Sequence, residues 1–305
     1  MLDFIIKRFL QVIVVVFLAL TVVFFLIRLS GDPTTLFLPP DAPKEQIEEY
    51  KELLGYNRPL YIQYGDFMIN AVQGDFGESL RSQEDALSIV LSRLPATFQL
   101  AISALILSLL IAIPLGVLSA YKRNTIFDRI SVGLTVIGQA VPSFWLGLIL
   151  IYIFAAQFKI LPSGGGGSLV HMLLPTLTLA AYSVARFTRF TRSSMLDILR
   201  NDYIRTAKAS GVPPSRLIMK YALKNSLIPI ITLVALDLGV LLGGAVITEV
   251  VFSWPGIGRL LMQSLMNRDF PIVLAGVFII ALIYAIINFV ADILYAYVNP
   301  QIRVK

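Results

Sequence analysis

Cysteine is absent from this 305-residue chain, and histidine occurs once, at position 171. Disulfides, thiolate metal sites and cysteine nucleophiles are thereby excluded, and so is a histidine-rich metal centre. Charge is scarce: 14% of the residues are Asp, Glu, Lys or Arg, against about 25% in soluble domains. There is no His-Glu-x-x-His, no Gly-x-Ser-x-Gly and no Walker A Gly-x-x-x-x-Gly-Lys-Ser/Thr. The chain therefore carries no recognisable catalytic constellation and no P-loop. If it moves solute at the expense of ATP, another subunit holds the nucleotide.

Apolar sequence is abundant instead, at 57% of the residues. Six runs are of a length to cross a bilayer core, at about 9–27, 96–120, 130–158, 172–187, 227–250 and 272–298. This is the pattern of an all-α, multi-pass membrane protein. Lys7 and Arg8 precede the first run, which is too long for a signal peptide and lacks a following Ala-x-Ala site, so it reads as an uncleaved anchor. The net charge of +6 falls beside the apolar runs, so membrane topology accounts for it and no nucleic-acid partner is expected. Sixteen Lys and Arg (two, three, nine and two, the nine counting Arg186 at the end of the fourth run) fall in alternate connecting stretches and termini, against about three in the short loops between them. That asymmetry places both termini and the 191–226 loop inside.

Two polar intervals interrupt the apolar runs. The first, 30–95, is long for a loop without a role. It has turns at Gly31-Asp32-Pro33 and Pro39-Pro40-Asp41, an acidic helix over 44–54 ended by Gly55, and a second helix over 60–72 with Tyr61, Tyr64 and Phe67 along one side. The loop Gly74-Asp75-Phe76-Gly77 follows. The second interval, 201–229, is dense in Lys and Arg. Asn201 or Asp202 caps a short helix, Gly211 stops it in a left-handed conformation, and Pro213-Pro214 opens the next helix.

Within the apolar runs, Pro142 breaks the third, in Gly138-Gln139-Ala140-Val141-Pro142-Ser143-Phe144-Trp145. Such a break is tolerated at membrane depth where the backbone is buried in protein or lines a cavity. Pro142, Ser143, Phe144 and Trp145 are therefore candidates for a solute path, with helix packing the alternative. Gly164 to Gly167 reads as a flexible loop. The fourth run is short and ends in Arg186, Arg189 and Arg192. The fifth holds Asp237 and the small residues Gly239, Gly243, Gly244 and Ala245, which permit close helix contact. An ionisable group inside a span faces a partner or water, so Asp237 is either a contact on a translocation path or a paired carboxylate between helices. Glu249 and Arg259 flank the turn after this run and are placed to pair.

The interval Tyr203 to Ala209, with Gly211 and Ala222 to Pro229, resembles the EAA loop of ABC importer permeases in its peptide-branch form, with Lys224 for Arg and Ser226 for Ala. The general family has Glu at the position of Arg205 and Pro at that of Lys224; the peptide branch departs from it in the same way. The resemblance extends from Gly31 to Arg303. It takes in Gly31 to Pro33, Leu54 to Leu60, Gly74 to Ser79, the Pro-x-Phe-Trp turn at Pro142, and Glu249-x-x-Phe-x-Trp-Pro-Gly-x-Gly-Arg259. The family's usual Asp-Pro-Arg-Ile-Arg ending is Asn299-Pro300-Gln301-Ile302-Arg303 here.

The chain is thus identified as a member of the dipeptide, oligopeptide and nickel branch. The resemblance implies an N-terminal transmembrane helix over 1–29, an extracytoplasmic segment over 30–95 and a five-helix permease domain over 96–305. The coupling loop is 191–226, and both termini face the cytoplasm. It implies a heterodimer with a homologous permease, two ATP-binding subunits that hold ATP and Mg, and an extracytoplasmic substrate-binding protein. The setting is the lipid of a bacterial or archaeal cytoplasmic membrane. No cofactor is expected on this chain. The expected solutes are dipeptides, oligopeptides or glutathione, with nickel or an oligosaccharide as alternatives. A stand-alone secondary transporter predicts inverted repeats or paired intramembrane charges, and neither is clear in the sequence. The ATPase-coupling residues implied are Tyr203, Ile204, Arg205, Thr206, Ala207, Lys208, Ala209, Gly211, Asn225 and Pro229. Of these, Tyr203, Ile204 and Ala207 are expected to form an outward apolar face, rimmed by Arg205 and Lys208. Gly74, Asp75, Gly77, Glu249, Trp254, Pro255, Gly256 and Arg259 are candidates for an outer gate or a binding-protein contact.

Overall fold

A computed structural model describes residues 2–29, 43–53, 55 and 57–298 of the chain. The turns expected at Gly31 to Pro33 and Pro39 to Asp41, and the Asn299 to Arg303 ending, lie outside the described residues. Regular structure among the described residues is helical, apart from one isolated bridge between Glu78 and Asp85. In chain order the longer helices are α1 Leu2–Leu29, α2 Lys44–Leu53, α3 Leu60–Gln73, α4 Ala86–Tyr121, α5 Ile126–Ala140 and α6 Ser143–Leu150. Then come α7 Leu169–Leu199, α8 Asp202–Ala209, α9 Lys224–Val251, α10 Ile257–Met266 and α11 Phe270–Val298. A π-helical stretch, Ile151–Gln157, continues α6, and another, Leu217–Leu223, leads from the turn Pro214–Arg216 into α9. Five helices are long and apolar enough to cross a membrane, and a sixth span results if the bent pair α5 and α6 counts as one.

Local chemistry explains most boundaries. Asp85 caps α4 by accepting from the Ser88 N–H at 2.7 Å. The helix therefore starts ten residues before the span expected at 96, and its early residues Ala86 and Val90 are fully buried. Between α5 and α6, Val141 and Pro142 are extended, and the two helices meet at 103°. Proline supplies no N–H and pushes the residue before it out of the helical region, so the break at Pro142 is built into the sequence.

The fourth span is longer than its composition suggests. The expected run 172–187 is part of a helix of 31 residues. Its arginines do not end it, because two are neutralised by buried acids. Arg186 donates to Asp237 Oδ1 at 2.8 Å, and Arg192 holds Asp128 in a fork, through Nε at 2.6 Å and an Nη at 2.8 Å. Asp128 also accepts from Ser119 Oγ at 2.5 Å and the Asn124 N–H at 2.9 Å, which ties the turn between α4 and α5 to α7. The helices pack closely there: a methyl group on Gly116 would lie 2.6 Å from Thr191 Cβ.

The described chain falls into two compact units. One comprises the described parts of Met1–Ile6, Ala96–Arg259 and Ile286–Lys305; the other comprises those of Lys7–Pro95 and Leu260–Ala285. In the second unit an aromatic cluster joins α1 to α3. Phe24 stacks on Phe67 at 5.2 Å and Phe25 on Tyr64 at 5.5 Å, and the Tyr64 and Thr21 hydroxyls share a hydrogen bond of 2.8 Å. Tyr61 does not join them; it is 75% exposed, because the α3 face in contact with α1 passes through Tyr64 and Phe67.

Candidate functional site

Four groups of candidate residues have defined geometry. The first is the α8 loop. Asn201 precedes the helix without a side-chain cap, and Gly211 ends the turn at φ +78°. Ile204 is buried in a cluster with Val117, Ala120, Met195, Leu217 and Ala222, and Ala207 packs against it. The expectation of an outward face containing Ile204 and Ala207 is therefore corrected. The 3.6-residue period puts both on the side where α8 meets the chain's own core. The exposed side carries Tyr203, Arg205, Thr206, Lys208 and Ala209. Tyr203 Oη accepts from the Asn225 side-chain amide at 3.0 Å, so α8 is tied to the start of α9 by a polar link as well as an apolar one. Pro229 lies exposed within α9.

The second group surrounds Asp237, which is fully buried. Its carboxylate accepts from Ser183 Oγ at 2.6 Å and from Arg186. Ser183 in turn lines a cavity of about 310 Å³ bounded by α5, α6, α7 and α9. Pro142 and Ser143 line it too. Phe144 and Trp145 do not; they are about half exposed, on the outer surface of α6. Asp237 thus stands one hydrogen bond behind the cavity wall.

The third group is the turn after α9. Glu249 is fully buried, yet every contact is satisfied: one oxygen accepts from Thr97 Oγ1 at 2.7 Å, and the other from the Gly258 N–H at 2.7 Å and the Arg259 N–H at 3.2 Å. The expected side-chain pairing of Glu249 with Arg259 does not form. Arg259 meets the carboxylate through its backbone, and its guanidinium bonds the Ser253 carbonyl. Glycine is required at 256 and 258 by close approach, since an added Cβ would overlap the Glu249 carboxylate at the first and Val246 at the second. Trp254 donates from its indole to the Ala96 carbonyl at 2.9 Å, and Pro255 leaves Gly166 no room for a side chain. The glycine run is consequently anchored rather than free. The Gly165 N–H bonds the Phe252 carbonyl at 2.8 Å, and a Cβ on Gly164 would overlap that carbonyl.

The fourth group lies in the second unit. Gly74 ends α3 at φ +80°, and Asp75 accepts from the Gly77 N–H at 2.9 Å in a tight turn. Ser79 Oγ then donates to the buried Asp269 at 2.6 Å.

Residues 112–304 match the family described as binding-protein-dependent transport system inner membrane component, and residues 1–101 match its N-terminal companion family. The chain belongs to this family of importer permeases. It is 40% identical, over the full length of both chains, to the glutathione transport system permease protein GsiC of Escherichia coli strain K12 and equally to that of Shigella dysenteriae serotype 1. The fold is shared with a chain of the inward-facing MetNI methionine ABC transporter, at TM-score 0.55, 16% identity and coverage of 69% of this chain and 96% of that one. It is also shared with an amino acid ABC transporter crystallised with histidines, at 0.53, 18%, 69% and 92%.

The protein is thus the permease subunit of an ABC importer. Its homologues are transport subunits rather than catalysts.

Several residues of this permease that shape the site carried no signal in its sequence. Thr97, Gln139, Thr178 and Ser183 are ordinary polar residues inside apolar helices; the buried partners of Thr97 and Ser183, and the cavity that Gln139, Thr178 and Ser183 line, are what distinguish them. The buried pair Asp128 and Arg192 was legible as an acid and a base, but not as a pair, across 64 positions. The Tyr203 link gives a first test. Tyr203→Phe removes one hydrogen bond at a half-exposed site, a loss of about 1 kcal/mol. Uptake by the assembled importer is expected to fall two- to fivefold, with normal amounts of permease in the membrane. Unchanged uptake would show that the polar link has no part in transport.

Proposed function

We propose that this permease forms half of the translocation pathway of an ATP-driven importer for peptides, in the dipeptide, oligopeptide or glutathione class. The identity to GsiC over the whole of both chains carries this reading. The proposed assembly is a heterodimer with a homologous permease, two ATP-binding subunits holding ATP and Mg below it, and a substrate-binding protein outside. This chain itself binds no cofactor. It lies in a bacterial or archaeal cytoplasmic membrane with both termini and the α8 loop inside, in keeping with the Lys and Arg asymmetry.

In this reading α8 is the coupling helix, and Gly211 and the exposed residues Tyr203, Arg205, Thr206, Lys208 and Ala209 meet an ATP-binding subunit. Ile204, Ala207 and Asn225 work from the other side, fastening α8 to α4, α7 and α9 so that a displacement of α8 reaches the spans. Transport proceeds by alternating access, with ATP binding and hydrolysis shifting the paired permeases between outward and inward states. The solute must bind the two states differently to be moved. Ser143, Pro142 and the Ser183–Asp237–Arg186 relay border the path. The Glu249 turn and the Gly74 to Gly77 loop serve the outer gate or the binding-protein contact.

Gentle extraction of the chain from its native membrane, followed by identification of the co-purifying proteins, tests the assembly. Two ATP-binding subunits and a second permease are expected. A chain recovered alone, or as a homo-oligomer with no ATPase, would overturn the reading.

A further inference from the structure

Helix α3 has two apolar faces, and only one of them is packed inside the chain. Tyr64 and Phe67 lie on the face that meets α1, with Ala71 buried on the same side. At about 100° per residue, Tyr61, Gly65, Met68, Ile69 and Val72 fall together on a second stripe, in the i, i+4, i+7, i+8, i+11 pattern of a face made for burial. Yet Ile69 is 60% exposed and Val72 86%. No charge interrupts the stripe, and the polar residues Asp66, Asn70 and Gln73 are gathered along one edge of it, exposed as well.

The depth of α3 decides what meets that stripe. In α1, Lys7 and Arg8 mark one edge of the bilayer, and about 20 apolar residues cross the core, so the other edge falls near Arg28. Tyr64 shares its hydrogen bond with Thr21, which precedes Arg28 by two helical turns and so lies about 10 Å inside that edge. The far end of α3 is held equally deep. Phe76, just past the helix, is buried and meets the Phe278 ring at 5.1 Å. Phe278 lies about 12 Å along α11 from its first residue, Phe270. Ile27 packs with Phe270 and Val273, so α1 and α11 reach this edge of the bilayer together. A stripe at such a depth meets acyl chains rather than water. Phe25, 42% exposed while stacked on Tyr64, joins its surface to the exposed side of α1.

We infer that α3 is a membrane-interface helix, seated in the lipid leaflet at the C-terminal end of α1. Tyr61, Met68, Ile69 and Val72 lie among acyl chains, and Asp66, Asn70 and Gln73 turn toward the headgroups. The partner of this face is lipid, so part of the 30–95 segment belongs to the bilayer rather than standing clear of it. In the orientation proposed above the leaflet is the outer one; the lipid contact itself does not depend on that orientation. An α3 seated in this way also holds the Gly74 to Gly77 loop at a fixed depth, together with Ser79, which bonds Asp269 at the start of α11.

The absence of cysteine makes the test direct. Ile69→Cys, Val72→Cys and Asn70→Cys are each labelled with the fluorophore nitrobenzoxadiazole, and the complete importer is reconstituted in nanodiscs of phosphatidylcholine and phosphatidylglycerol. The same importer with the cysteine-free chain supplies the background, and Val22→Cys on the exposed side of α1 gives the reference for a lipid-facing site. Each labelled importer is compared at wild-type ATP hydrolysis, with Met68→Cys in place of a stripe position that fails this check. Doxyl-labelled phosphatidylcholine is expected to quench the labels at 69 and 72 at least about twofold more than the label at 70, and iodide in the buffer should give the reverse order.

Iodide quenching at 69 and 72 equal to that at 70 would put the stripe in water and overturn the inference. Quenching by neither agent would overturn it too, by showing that another protein, such as the second permease, covers the face. Loss of lipid quenching when the substrate-binding protein is added would mark a protein-docking site and overturn it equally. Lipid quenching that survives that addition supports the lipid contact.

Discussion

Glu249→Ala is expected to leave the permease unable to hold its fold through detergent extraction. The buried carboxylate accepts from Thr97 Oγ1 and from the N–H groups of Gly258 and Arg259, and the Thr97 hydroxyl accepts in turn from the Ile257 N–H at 2.9 Å. Alanine strands three donors where water has little access. At about 1–3 kcal/mol for each stranded group, the loss is at least about 3 kcal/mol, a large fraction of the stability of an ordinary domain. Thermal unfolding followed by loss of monodisperse protein should show it as a fall of several degrees or as failure to purify. Gly256→Ala should do comparable damage from the other side, because its methyl group would displace the carboxylate.

Glu249→Gln separates hydrogen bonding from charge. The amide oxygen can face the two backbone N–H groups while the amide nitrogen donates to Thr97 Oγ1, so only the Thr97 hydroxyl proton loses its acceptor. Stability well above that of the alanine variant is expected, because one donor is stranded instead of three. A glutamine variant as unstable as the alanine variant would show that the negative charge itself holds the turn.

The second large effect is expected at Gly211. With φ at +78°, a side chain at this position is strained, least for Asn and most for a β-branched residue. Nothing in the described chain lies within 4 Å of an added Cβ there, so internal packing does not resist substitution. Gly211→Val should therefore unsettle only the local turn and, under the proposed coupling role, the seat of α8 on its ATPase. Uptake is expected to fall more than tenfold, with ATP hydrolysis by the complex persisting and the spans intact. Gly211→Asn should keep the turn, and Gly211→Asp should show whether an acidic side chain on this surface is itself enough to uncouple. Normal transport by Gly211→Val would remove the turn from the coupling argument.

The coupling loop also shows where reading the residues in order falls short. Gly211 and Pro213 fix the stop and restart of the helix locally, and both are legible. Which face of α8 is buried is not, because an eight-residue helix with three apolar side chains fits equally well against its own protein or a partner. Met195, Leu217 and Ala222 settle the matter by burying Ile204. Likewise, the Arg186 and Arg192 positions marked the end of a span by charge alone. Their acids, from α9 and the start of α5, let the helix run twelve residues past the expected end at 187.

By itself the sequence determined the rough placement of the apolar helices, the break at Pro142, the left-handed turn at Gly211 and membership of the permease family. Each of these follows from hydropathy, backbone restriction or an ordered set of short motifs, which are local properties. The tertiary structure alone decided that Asp237 and Asp128 have arginine partners and that Glu249 meets backbone N–H groups instead of a guanidinium. It alone decided that the glycine run is anchored and that Gln139 and Thr178 share a cavity. Those outcomes depend on which side chains distant segments bring within 3 Å of each other, and hydrogen bonding at that range is blind to separation along the chain.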